Sequence, residues 1–431
     1  MKKFYALVLF IGFCLQTFSQ RQANIWYFGL NAGLDFNSGS PVALTNGALA
    51  TSEGSATISD KNGNLLFYTD GINVWNRNHV QMANGFGMLG DPSSAQSALI
   101  VPKPGNQNWY YIFTVSAAGG GGGFCYSEVD MTQNGGFGDV VPATKNTSLF
   151  TPSAEKCTAV KHANGLYVWV IAHGFNDNTY HSYLVDCNGV GAAINTNVGQ
   201  SDGWPGWGCL QSSPNGQKLA SAVRNSGFEM LDFNNATGVV SNPINLGLGG
   251  DDYGVSFSPD NNLLYGLRIT PGTIYQWNLQ AGTPAAVVAS VVTLGTAGGI
   301  GAPYNGGTMQ LGPDGKLYIC QYQQAFLSVI NSPNTVGAGC NLQFNAVNLS
   351  GRNSVLGLPP FIQSYFDTTA VIQFGSPNCL GQPEAFTISG NTAYLDSVKW
   401  NFGDAATGAQ NFSTLLSPNH IFSYSGVHLR A

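Results

Sequence analysis

Apolar positions along this chain recur at strand length rather than at helical spacing. Short runs of Val, Ile, Leu, Phe, Tyr and Trp are separated by clusters of Pro, Asn, Asp and Gly, the pattern of successive β-strands joined by tight turns. The unit repeats. It reads SATISDKNGNLLFYTDGINVWN from Ser55, SALIVPKPGNQNWYYIFTVS from Ser97 and TAVKHANGLYVWVIAHG from Thr158. It returns as LQSSPNGQKLASAVRNSGFEMLDF from Leu210, VSFSPDNNLLYGLRITPGTIYQWNL from Val255 and MQLGPDGKLYICQYQQAFLSVIN from Met309. Turn pairs stand at Asn62-Gly63, Gly105-Asn106, Asn164-Gly165, Asn215-Gly216, Asp260-Asn261 and Asp314-Gly315. These residue types supply the positive-φ positions that hairpins require.

Successive turns lie roughly 50 residues apart, the length of one four-stranded propeller blade. Six units are complete. Strand-like leftovers remain at both ends, NIWYFG from Asn24 and AGLDF from Ala32 before the first unit, and GLPPFIQSYF from Gly357 after the last. Pairing the two ends predicts a seventh blade that closes the ring and removes exposed sheet edges. The expected fold is therefore all-β, a seven-bladed β-propeller over 21–366 followed by a smaller β-sandwich over 367–431.

The N-terminus changes the compartment. Lys2 and Lys3 precede an apolar stretch from Phe4 to Leu15 and a polar run ending at Gln20, the layout of a signal peptide over 1–20. That stretch is shorter than the roughly 20 residues a membrane span needs, and no later segment qualifies, so no transmembrane segment is expected. Charged residues make up 9% of the chain and the net charge is −6. Nucleic acid is thereby disfavoured as a partner, since it demands basic patches. In an oxidising compartment cysteines pair, and the local candidates, each spanning what reads as one sheet, are Cys157 with Cys187 and Cys320 with Cys340.

The last segment, with Trp400, Phe402, Gly403 and Asp404 in VKWNFGD followed by Pro418 and His420 in PNHIF and then Gly426-Val427, resembles a PKD domain, an immunoglobulin-like sandwich. Asn401, Ala405 and His428 depart from that family's pattern, and the chain stops one strand short, so the module is expected to be incomplete. With the repeats and the opening segments Asn24 to Phe36 and Gly54 to Gly71, the chain resembles large secreted proteins of gliding Gram-negative bacteria that use type IX secretion. That resemblance implies a location outside the cell or at its outer surface.

Catalytic signatures are missing from the sequence: there is no GxSxG elbow, and the run Gly119 to Gly123 lacks the context of a phosphate loop. Two local features suggest binding. Asp202 precedes the loop GWPGWG, in which Trp204 and Trp207 offer flat faces to a sugar. Asp251-Asp252 offers paired carboxylates to Ca²⁺, the one cofactor the sequence suggests. The expected function is non-enzymatic binding or adhesion to a glycan or a surface protein, with the C-terminal module as spacer. The alternative is a propeller enzyme acting on extracellular polysaccharide, which needs acids converging on the channel mouth.

Overall fold

A computed structural model describes residues 21–297, 304–367, 370–374, 381–390 and 398–423. The expected signal segment, residues 1–20, lies outside the described residues, as do Gly426, Val427 and His428. The chain divides into two compact units, one of them Arg21–Thr369 and the other containing Ala370–Ala431.

The first unit is a seven-bladed β-propeller. Seven antiparallel sheets follow one another in chain order, at 25–44, 56–76, 98–150, 153–197, 210–247, 252–296 and 309–348, and each meanders from strand to neighbouring strand except the third, where Thr147–Phe150 pairs back with Phe124–Asp130. Blades 1 and 2 have three strands, blade 3 has five, and blades 4 to 7 have four. The sequence decides which strand faces the axis. The first strand of blade 4, Ser153–Lys161, is buried at all but its last residue, and Asp252–Phe257 of blade 6 is buried throughout. The last strands, Gly189–Asn197 and Leu342–Asn348, are mostly exposed. Apolar sequence thus starts each blade at the centre and polar sequence finishes it at the rim. All six anticipated hairpin turns carry their positive-φ residue, for instance Gly63 at +88° and Asn261 at +65°.

Closure of the ring uses both ends of the unit, though not as a shared sheet. Blade 1 takes all three of its strands, Ile25–Phe28, Ala32–Asp35 and Val42–Leu44, from the N-terminal side. The segment after blade 7 pairs with it through an isolated bridge between Leu30 and Asn353 and adds no strand to its sheet. That segment also joins the links between blades. Around one end of the channel, backbone amides donate from blade to blade: Gly54 to Ser94, Gln96 to Glu155, Cys209 to Tyr253, Thr308 to Leu356, and Leu356 to Ser52. Leu356 therefore links blade 7 to the segment entering blade 2 at this end of the channel. Pro359 and Pro360 lack the N–H a ladder needs, which explains the absence of a regular strand here.

Beyond the prolines the segment crosses the axis. Phe361 lies 5.8 Å from Trp26 in blade 1, whereas Ile362 bridges Ala159 in blade 4. Ser364 Oγ accepts from the Lys161 amide at 2.9 Å. Gln363 Nε2 donates to Gln310 Oε1, which also accepts from Gln211 Nε2. Tyr365 packs against both large core clusters. One end of the channel is plugged by the chain itself. Ring contacts between Trp26 and Tyr318, at 5.5 Å, and between Phe36 and Tyr318, at 5.4 Å, seal blade 1 to blade 7.

The second unit holds small antiparallel sheets. Ala370–Phe374 pairs with Pro383–Gly390, which pairs with Asn419–Ile421, and Trp400–Asn401 pairs with Phe412–Ser413. Phe402 and His420 stack at 4.3 Å, and Trp400 Nε1 donates to the Leu415 carbonyl at 2.7 Å. Asp404 is buried; its carboxylate accepts from the Ser423 amide and hydroxyl and meets His420 Nε2 at 3.2 Å. Burial opposes its charge, but the Ser423 and His420 bonds hold the carboxyl below its usual range. Gly403 adopts φ +73°, and the Pro418 carbonyl accepts from the Phe386 amide. The residues singled out at 400–404, 418 and 420 thus form one locked cluster.

The expected disulfides do not form. Cys157, Cys187, Cys320 and Cys340 are all free. Cys157 lies in the inner strand of blade 4, while Cys187 sits at the turn between its third and fourth strands. At about 4.8 Å per strand spacing, that separation exceeds the roughly 7 Å limit for bridging Cα atoms. Cys320 and Cys340 are likewise separated by the strand Phe326–Ile330.

Candidate functional site

At the unplugged end, the segments leading into the inner strands surround a pocket of about 300 Å³. Its lining includes Trp207, Tyr304, Tyr322, Glu53, Gln323 and Leu30. Tyr304 and Tyr322 meet edge to face with centroids 5.5 Å apart. Trp207 is braced by its neighbours. The Arg224 guanidinium lies 4.3 Å from the centroid of its ring, and Arg224 Nε donates to Asp251 Oδ1 at 2.9 Å. Cation–π contact and ion pair together fix the indole's orientation.

Beneath the aromatic rim lies a layer of buried ionisable groups. Glu53 lines the pocket and accepts from the Tyr253 hydroxyl at 2.9 Å. Burial pushes its carboxyl up to about 8, and the neighbouring Glu155 charge adds to the shift. Glu155 accepts from the Ala95 amide at 3.1 Å and the Ala118 amide at 2.7 Å, and burial raises it to about 7. Lys156 forms a fully buried ion pair with Asp202 and donates to the Ala222 carbonyl at 2.7 Å. Glu229, also raised by burial to about 7, accepts from the Gln200 amide and the Tyr180 hydroxyl.

The residues anticipated as ligand contacts are separated by this geometry. Trp207 reaches the pocket. Trp204 is 74% exposed on the loop surface and is not part of the lining. Asp202 is buried against Lys156, so its carboxylate serves the interior and not a sugar. Asp251 and Asp252 diverge to separate arginines, Asp251 to Arg224 and Asp252 to Arg268 at 3.4 Å. Burial raises Asp252 to about 7. Two carboxyl groups turned to separate arginines, one of them costly to ionise, make a poor cradle for Ca²⁺, and among the described residues no group of three His, Cys, Asp or Glu is placed to hold a metal. Asp251 instead acts on the pocket, through Arg224.

Tyr304, Tyr322, Glu53 and Glu155 escape a reading of the sequence because none belongs to a local motif and the blades that carry them are distant along the chain. For the two acids the available signal is position: Glu53 stands just before the inner strand Ala56–Ser59 and Glu155 at the start of the inner strand Ser153–Lys161, places that an alignment of the repeats brings close together.

No family model matches this chain, and no curated protein matches it. Solved structures do. A Bacteroides uniformis protein assigned provisionally as a 6-phosphogluconolactonase is 16% identical, with 77% of this chain and 97% of that one covered and a TM-score of 0.49. The Pseudomonas aeruginosa periplasmic gluconolactonase is 15% identical over 74% of this chain and 86% of its own, with a TM-score of 0.40. The β-propeller domain of Myceliophteria thermophila Cps50 (Swd1) is 10% identical over 70% and 94%, with a TM-score of 0.41. These scores are low, and the seven-bladed ring rests on this chain's own sheets.

Proposed function

We propose that this is an exported, non-enzymatic binding protein whose propeller presents the mouth pocket to a glycan, with the C-terminal unit, a PKD-like module, as spacer. The observation that carries this reading is the aromatic pocket itself. Three rings, Trp207, Tyr304 and Tyr322, border a cavity of about 300 Å³, which suits a sugar ring laid face-on against an indole. Arg224 and Asp251 hold that indole ready before any ligand arrives, which lowers the ordering cost of binding.

The acids at the mouth support binding over catalysis. Glu155, Glu229 and Asp202 are each engaged by internal donors. Only Glu53, held largely neutral, borders the pocket. A protonated acid favours an enzyme reading in one respect, but glycoside hydrolysis in its usual form needs a second carboxylate roughly 5–9.5 Å away across the scissile bond. Among the described residues lining the pocket, Glu53 is the only carboxylate.

The test is a glycan array probed with parent, Trp207→Ala and Trp204→Ala proteins. Trp207→Ala is expected to weaken binding at least about tenfold, equivalent to ~1.4 kcal/mol, while Trp204→Ala stays near the parent. Unchanged binding by Trp207→Ala would overturn the reading. Turnover of a polysaccharide by the parent, lost in Glu53→Gln, would replace it with the enzyme.

A further inference from the structure

A second cleft opens at the other end of the inner strands. The strand Ala56–Ser59 starts just after Glu53 at the mouth and runs into the turn that carries Asp60 and Lys61. There, blades 2 and 3 part around a cleft of about 600 Å³, twice the volume of the mouth pocket. Its chemistry also differs. No large aromatic rim surrounds it; the lining includes the two cations Lys61 and Arg77, with the side chains of Gln107 and Asn108 beside them.

Neither cation takes part in an ion pair among the described residues. Arg77 lies 4.8 Å from the centroid of the Phe137 ring, a contact that uses the flat face of the guanidinium and not its N–H edge. Asp60 also borders the cleft, but its turn already engages both oxygens. Oδ1 accepts from the Asn62 and Asn64 amides at 2.8 and 2.9 Å, and Oδ2 accepts from Asn64 Nδ2 at 3.0 Å. The cleft therefore keeps a net positive character on a chain whose overall charge is −6.

One further atom points to what fills it. Gln22 Oε1 is buried and has no hydrogen-bond partner, although Gln22 lines the cleft. An unpaired acceptor gains from any donor brought to it, so a ligand hydroxyl fits here once the Gln22 side chain turns toward the cleft it lines. Tyr110, Leu66 and Met131 supply apolar surface alongside. An oxyanion site, a waiting acceptor for a hydroxyl and an apolar wall together match one ligand chemistry.

We propose that this cleft binds an acidic sugar, with its carboxylate or sulfate on Arg77 and Lys61 and a ring hydroxyl donating to Gln22 Oε1. The site is independent of the mouth pocket and separates two ligand classes on the two faces of the propeller. Arg77 supplies the geometry, since its fork can bind an oxyanion through two parallel bonds. Lys61 supplies charge.

Calorimetric titration of the full chain with trigalacturonate, a 6-sulfated disaccharide and neutral maltotriose tests the proposal. One or both acidic probes should bind, weakening as salt rises, while maltotriose fails to occupy this site; which acidic probe binds tells uronate from sulfate. Arg77→Gln should weaken binding at least tenfold and Lys61→Gln about threefold, while Trp207→Ala leaves it unchanged. Lys61 is exposed, so Lys61→Gln gives a readout even if Arg77→Gln disturbs the fold. Acidic probes that bind no better than maltotriose, or that bind both cleft variants as tightly as the parent, would overturn the proposal. Loss of acidic-sugar binding in Trp207→Ala would do the same, by moving the site to the mouth.

Discussion

The two ends of the channel are built on the same inner strands and finish in opposite ways. At one end, 359–366 crosses the axis and joins the glutamine contacts of Gln211, Gln310 and Gln363. At the other, the chain leaves an aromatic-lined opening above buried carboxyls, where burial and the neighbouring Glu155 raise the cost of ionising Glu53. The difference teaches where this fold spends its stability. The plugged end is apolar packing of Phe361 and Tyr365 against several blades. The open end keeps polar groups out of water, an arrangement that is tolerable only while every partner stays in place.

The comparison can be broken most directly at the plug. Phe361 is 2% exposed and packs against both Trp26 and Phe366, so Phe361→Ala should cost ~3–5 kcal/mol in denaturant unfolding. A cost below about 1 kcal/mol would show that the crossing segment does not hold the ring. Next comes the buried pair beneath the mouth. Asp202→Asn leaves the Lys156 ammonium buried without its counter-charge and should cost about 3 kcal/mol, read from the same unfolding curves.

The third effect is on pH. Glu53, Glu155, Glu229 and Asp252 are all raised by burial, to about 8 for the first and about 7 for the others. Each therefore keeps its proton in the folded chain at pH values where the unfolded chain has released it. Their contribution is full below the ordinary carboxyl values and is lost as pH rises through the folded values. Tm should fall between about pH 5 and 8, and Glu53→Gln should flatten the upper part of that decline. A Tm that rises over this window would contradict the assignment. The smallest effect is at the rim: Asp251→Asn breaks a half-exposed pair with Arg224 and should cost under about 1 kcal/mol, yet still weaken glycan binding by loosening Trp207.

Much of the fold could be read in the sequence because turns and strands announce themselves locally. Asn62-Gly63 and Asp314-Gly315 mark hairpins through backbone chemistry that depends on no other part of the chain. The closing segment was harder, since GLPPFIQSYF looks like a strand until Pro359 and Pro360 are weighed against the ladder they cannot join. Sites were less legible. Trp207 was recognisable as a flat face in a glycine-rich loop, but its partners Tyr304 and Tyr322 come from other repeats and meet it only once the ring is closed. Asp202 and the Asp251-Asp252 pair looked available because sequence shows charge and not the cation that folding brings against it. Cys157 and Cys187 belong to one sheet, but two strand spacings set them apart.

Hydrogen exchange on the full chain, with and without a neutral oligosaccharide selected from the array, tests the open end against the plugged one in a single experiment. Binding at the mouth predicts new protection in the segments 204–209 and 320–324, with 359–366 slow to exchange in both states. Protection confined to the turns at 60–64 and 105–108, or a crossing segment that exchanges as fast as the outer strands, would contradict the account.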